Sequence, residues 1–295
     1  MVSSPADPAI VAGRYTRPVA TEQIARSLAF INWTVLAGLA AGSFLAAEVA
    51  RRRTEATPGF VRFTALAAGV FAVLAAISDT ALPVPGPDAP IVAAPAFAGP
   101  REGLLVALAV IAFLYAALVG RPRAAAVLGA LGIVAGFGAI VVGAVGWAGG
   151  FPDAGPLLVE LVALALSTGG VFAAMILGHW YLVTPKLPTQ PLVLFAKLLL
   201  GVVGVQLVLF VVWLATGAGL GLPPFQPLVG PWAFFVWMRL LVGLVFPLVL
   251  SWAALQTART RSMESATGLL YIDVGAIAVG TILASGLYFG AGLLV

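Results

Sequence analysis

The sequence predicts an all-α integral membrane protein with eight transmembrane helices, arranged as two four-helix bundles with both termini outside the cytoplasm. Composition is the first reason: 62% of the 295 residues are hydrophobic, only 9% are charged, and the mean hydropathy is +1.11. Soluble domains stay near half apolar, so this chain has more apolar surface than a water-facing fold can hide. The second reason is length, because a helix crossing the hydrocarbon core needs roughly 20 apolar residues. Continuous runs of that size recur along the chain, and they are not the short alternating strands of a β-barrel.

Residues 1–27 are read as a polar N-terminal tail. Pro5, Pro8 and Pro18 punctuate it, and it lacks the apolar stretch of a cleavable signal peptide. The first bundle is assigned to residues 28–147, with spans Leu28–Ala50, Phe60–Ser78, Gly103–Gly120 and Ala124–Trp147. Residues 148–295 form the second, with spans Leu157–Leu182, Leu192–Ala218, Trp232–Leu255 and Ala266–Leu293. Gly38/Gly42, Gly132/Gly136 and Gly286/Gly290 each lie four apart on one helix face, the spacing of small-residue packing seams. Pro247, inside the seventh span, removes a backbone hydrogen bond and is expected to kink that helix.

Loop charge orients the chain, since cytoplasmic loops collect Lys and Arg. Arg51, Arg52, Arg53 and Arg62 follow the first span, Arg121 and Arg123 the third, Lys186 the fifth, and Arg259 and Arg261 the seventh. The opposite loops hold Arg101 alone, and the tail, with Arg14, Arg17 and Arg26, dissents. This places the basic loops inside a bacterial inner (plasma) membrane and Pro83–Pro100 in the largest external loop. The net charge of +4 is therefore a matter of topology and not of nucleic-acid binding.

An internal repeat is visible at an offset of 128 residues, where Ala41-Gly42-Ser43-Phe44-Leu45-Ala46-Ala47 resembles Gly169-Gly170-Val171-Phe172-Ala173-Ala174. An even number of helices per half gives parallel repeats.

Charges inside the spans are the strongest functional signal, because each costs at least ~2.5 kcal/mol in lipid. At a rise of about 1.5 Å per residue, Glu160 and Arg239 lie within side-chain reach of each other near the outer face. His179, Lys197 and Asp273 fall at comparable depths in the inner half, an arrangement suited to proton movement. The single histidine excludes a bis-His haem within the chain, and the absence of cysteine excludes iron–sulfur ligation and thiolate catalysis. No phosphate-binding loop or Ser-His-Asp set is present, so neither a multi-His metal centre nor a self-contained catalytic subunit is expected.

The run Trp33-Thr34-Val35-Leu36-Ala37-Gly38-Leu39-Ala40-Ala41-Gly42-Ser43-Phe44-Leu45 resembles the first helix of polysulfide-reductase-type (NrfD-like) membrane subunits. Asp79 and Pro83 match part of the family's Asp-Leu-Gly-x-Pro-like turn, with the proline displaced. The resemblance covers about 50 residues, and the segment Ser265–Tyr271 has no counterpart in it. It implies a haem-free anchor subunit of a respiratory redox complex, exchanging electrons and protons with a menaquinone or ubiquinone pool. Asp79, Glu160 and Arg239 would then meet the quinone, and His179, Lys197 and Asp273 would carry protons. Iron–sulfur or other redox subunits would be separate partner chains. A secondary transporter and a structural or assembly subunit are the competing readings.

Overall fold

The computed structural model describes residues 20–86, 89–92, 94–184, 186–219 and 222–295. Among these, all regular structure is helical. Eight helices are long and apolar enough to cross a membrane. We label them α1 (Leu28–Arg53), α2 (Pro58–Thr80), α3 (Ala98–Leu118), α4 (Pro122–Trp147), α5 (Ala154–Val183), α6 (Gln190–Thr216), α7 (Ala233–Arg259) and α8 (Met263–Ala291). Residues 1–19 of the expected tail lie outside the described residues, whereas Ala20–Arg26 form a short helix ahead of α1.

Most helices overrun the apolar spans by a few residues at one end or both, because the backbone ladder continues until a local signal stops it. Proline in the first turn starts α2, α4 and α6, where its missing N–H would have no helical partner anyway. Thr57 caps α2 by accepting from the Phe60 N–H at 3.3 Å. Gly217 and Gly292 end α6 and α8 in the left-handed region, with φ of 64° and 69°. The third helix departs most from the sequence reading: it begins at Ala98, so Arg101 is a helical residue and not a loop charge.

Within residues 28–147, α1 packs on α2 and α4, and α3 packs between α2 and α4. Within the later half, α5 packs on α6 and α8, and α7 packs between α6 and α8. The two sets meet chiefly along α1 and α5. That crossing is made by backbone against backbone: a Cβ added to Gly169 would overlap the Gly42 carbonyl carbon, and one added to Gly42 would overlap the Ala165 oxygen. The small-residue runs matched at the 128-residue offset thus pack on one another.

Of the expected seams, Gly38/Gly42 faces α5, and Gly132/Gly136 admits the Phe44 ring and Ala41 of α1. The third seam, Gly286/Gly290, seats Gln23 and Ile24 of the short N-terminal helix. The kink expected at Pro247 takes a specific form. A single π turn, Leu241–Val245, interrupts α7 just before the proline, as π-bulges commonly do where a helix accommodates a defect.

Candidate functional site

Four polar clusters are built into the helices. The first lies where the end of α2 meets the start of α3. Asp79 accepts from Arg101 Nε at 2.5 Å and from Nη2 at 3.3 Å, a two-pronged pair with both side chains buried. The guanidinium also stands over two indoles, with its Cζ 5.0 Å from the Trp147 ring and 5.8 Å from Trp33. Carboxylate and aromatic faces together hold an otherwise costly cation in place. Beside it, Asn32 of α1 donates to Ser78 Oγ at 2.9 Å.

This pair borders a cavity of about 520 Å³ lined by Asp79, Arg101, Glu102, Phe30 and Trp147 and roofed by the Pro-rich loop after α2. The loop is tied down by the Val92 N–H, which donates to the Trp147 carbonyl at 2.9 Å. Trp147 is itself fixed edge-on against Phe30, Trp33 and Phe289. The site is therefore mostly apolar and aromatic, with a few convergent polar groups, as small-molecule pockets usually are.

The second cluster joins α5, α6 and α7. Arg239 Nη2 donates to Gln206 Oε1 at 2.9 Å and to Glu160 Oε1 at 3.5 Å. Its Nε and Nη1 donate to the main-chain oxygens of Val295 and Gly243, each at 3.3 Å. Gln206 in turn donates to the Ala163 carbonyl at 2.9 Å. Pro247 has no N–H for the Gly243 carbonyl four residues earlier, and the guanidinium satisfies that oxygen instead. Every nitrogen of Arg239 is engaged, and its side chain is only 1% exposed. Neither Arg239 nor Glu160 lines the cavity beside Asp79.

In the third cluster, Asp273 of α8 accepts from Ser251 Oγ of α7 at 2.7 Å, while its Oδ1 is buried and has no hydrogen-bond partner among the described residues. The fourth was not singled out from sequence. Glu48, buried near the end of α1, accepts from Tyr115 at 2.7 Å and from Arg51 at 2.7 and 2.8 Å, and it also bonds Arg52. Gly129 of α4 leaves room for its carboxylate, since a Cβ there would lie 2.5 Å from it.

The pairing of Glu160 with Arg239 agrees with their expected depths. Asp79 stands apart from them, with Arg101 as its partner. His179 and Lys197 are exposed on the helix surface, and His179 meets Tyr271 at 3.4 Å. Among the described residues, no hydrogen bond or ion pair joins either to Asp273, so the expected inner-half trio is not assembled by direct contact. No group of three or more His, Cys, Asp or Glu side chains among the described residues is placed to hold a metal ion.

The fold and these clusters define an all-helical protein with eight helices fit to cross a membrane, carrying ion pairs buried among them. No family model matches the chain, and no curated protein sequence matches it.

Proposed function

We propose that the chain is a haem-free, quinone-handling membrane subunit of a redox complex, with the head group seated beside Asp79 and Arg101. The observation that carries this reading is the cavity of about 520 Å³, in which an ion pair and the Trp147 face meet a mostly apolar lining, with Thr80 and Glu102 as its other polar side chains. A quinone supplies two-electron, two-proton chemistry when bound. Its flat ring suits an indole wall, and its carbonyl oxygens suit a guanidinium donor. This extends the expectation for Asp79 to Arg101 and Trp147. Glu160 and Arg239 act in this reading as a structural clamp, since their bonding capacity is directed at other groups of the same chain.

The pattern of helix neighbours supports two four-helix bundles meeting at α1 and α5. Loop charge supports basic loops in the cytoplasm of a bacterial cell and both termini on the far side. The test is purification of the tagged chain in mild detergent, followed by analysis of bound quinone and accompanying chains. Co-purifying iron–sulfur or cytochrome subunits together with menaquinone or ubiquinone support the proposal. A chain that purifies alone and binds no added quinone sinks it.

One observation favours the transporter reading instead: an oxygen of Asp273 has no hydrogen-bond partner among the described residues, in a carboxyl of the kind that takes up a proton or small cation. Proton or sodium uptake into proteoliposomes that disappears in Asp273→Asn would establish that second reading.

A further inference from the structure

We infer that the ligand of the Asp79–Arg101 cavity is a lipid with a long apolar tail, and that this tail leaves the head-group site along the groove between α2 and α3. The inference rests on the head-group reading above and adds where the rest of the molecule lies. A second cavity, about 390 Å³, runs along the outside of these two helices. Its α2 wall is Val73, Ala76, Ile77 and Thr80, and its α3 wall is Glu102, Val106, Ala109, Val110 and Phe113. Both sets follow three- and four-residue spacing, so each wall is one continuous helix face.

Thr80 and Glu102 line both this groove and the head-group cavity. The two spaces therefore meet at one polar threshold, beyond which the groove walls are entirely apolar. From Glu102 to Phe113 the groove follows α3 for roughly 16 Å at about 1.5 Å per residue, which suits an extended chain and far exceeds a single ring. Its inner end is stopped by the Phe113 ring, which packs 3.0 Å from where a Gly69 Cβ would stand. Ile77 and Val106 are 61% and 47% exposed, so the groove opens sideways toward the surrounding lipid. A tailed ligand can enter from the bilayer with its head moving into the cavity, without passing through water.

The experiment uses the full-length protein in detergent and two probes: menadione, a naphthoquinone without a tail, and menaquinone-4. Bound quinone per chain is measured by extraction after gel filtration over a range of quinone concentrations. Ile77→Trp and Val106→Trp fill the groove from lipid-facing positions. Each is expected to weaken menaquinone-4 binding by about tenfold, equivalent to losing burial of roughly two methylene groups, and to leave menadione unchanged. Val106→Ala adds no bulk and is expected to retain menaquinone-4, and Arg101→Gln is expected to weaken both probes.

Groove variants that leave menaquinone-4 binding intact, or weaken both probes equally, overturn the tail assignment while leaving the head-group site standing. Failure of the unaltered protein to bind either probe, or indifference of both to Arg101→Gln, overturns the head-group reading and this inference with it. Release of menaquinone-4 by an equal mole fraction of phosphatidylglycerol assigns the groove to a phospholipid chain and also overturns the inference.

Discussion

Arg101 and Arg239 are both arginines buried among helices long and apolar enough to cross a membrane, yet they are satisfied in different ways. Arg101 divides its charge between Asp79 and two indole faces. Arg239 is held by one carboxylate, one amide and two main-chain oxygens. Removing one member of a buried pair strands the other, which typically costs about 3–5 kcal/mol. Arg101→Leu should therefore destabilise the protein by about that amount, read from its denaturation in mixed micelles, and the double variant Asp79→Asn/Arg101→Gln should recover most of the loss. Glu160→Gln should cost less than Arg239→Leu. Without Glu160's charge Arg239 still has three oxygen partners, whereas loss of the guanidinium strands the Glu160 carboxylate and removes the donor it supplies to Gly243 O. The reverse order in the same assay contradicts the bonding described.

Depth was readable at this scale because helical rise is constant, and it brought Glu160 and Arg239 together correctly. Azimuth was not readable, because the direction a side chain faces depends on which helices stand beside it. His179 and Lys197 lie on exposed faces, whereas Asp273 is buried. Glu48 was hidden by its neighbours: next to Arg51, Arg52 and Arg53 it looks like one more charge at the membrane surface.

Among the elements, α1 and α5 set the tightest constraint. Gly169 lies against the Gly42 backbone, whereas at Gly170, its neighbour on the same helix, no other helix among the described residues comes within 4 Å of where a Cβ would stand. Gly169→Leu should abolish the folded form, since it drives a side chain into the main chain of α1 and overpacking alone typically costs about 1–3 kcal/mol or more. Gly170→Ala should be tolerated. Gel-filtration yield and melting temperature of the two variants settle the point, and equal behaviour would remove the argument for this crossing. The eight apolar runs made the elements legible, but the start of α3 was not. An arginine at a span's edge normally marks the water boundary, and here the buried Asp79 and two indole faces accommodate it inside the helix instead.

For the whole molecule, the absence of native cysteine makes topology directly measurable. Single cysteines at Glu55, Arg121 and Thr260 should resist a membrane-impermeant maleimide added to intact cells, whereas cysteines at Val84, Phe151 and Val229 should react. The opposite labelling pattern would invert the orientation derived from loop charge. The all-helical class and the eight membrane-length helices were legible because lipid leaves so few options for a chain of this composition. Which helices neighbour one another was less so, since small-residue faces are common to nearly all of them.

The π turn in α7 acts as a phase shift. Arg239 and Ser251 are twelve positions apart, and in an uninterrupted helix advancing about 100° per residue they would point about 120° apart. A π turn absorbs one extra residue and reduces that difference to about 20°. Both halves of α7 can then aim a polar group into the packed interior, Arg239 toward α5 and α6 and Ser251 toward α8. Deleting a single residue from Leu241–Val245 would make α7 more regular and yet point one of those two groups at lipid.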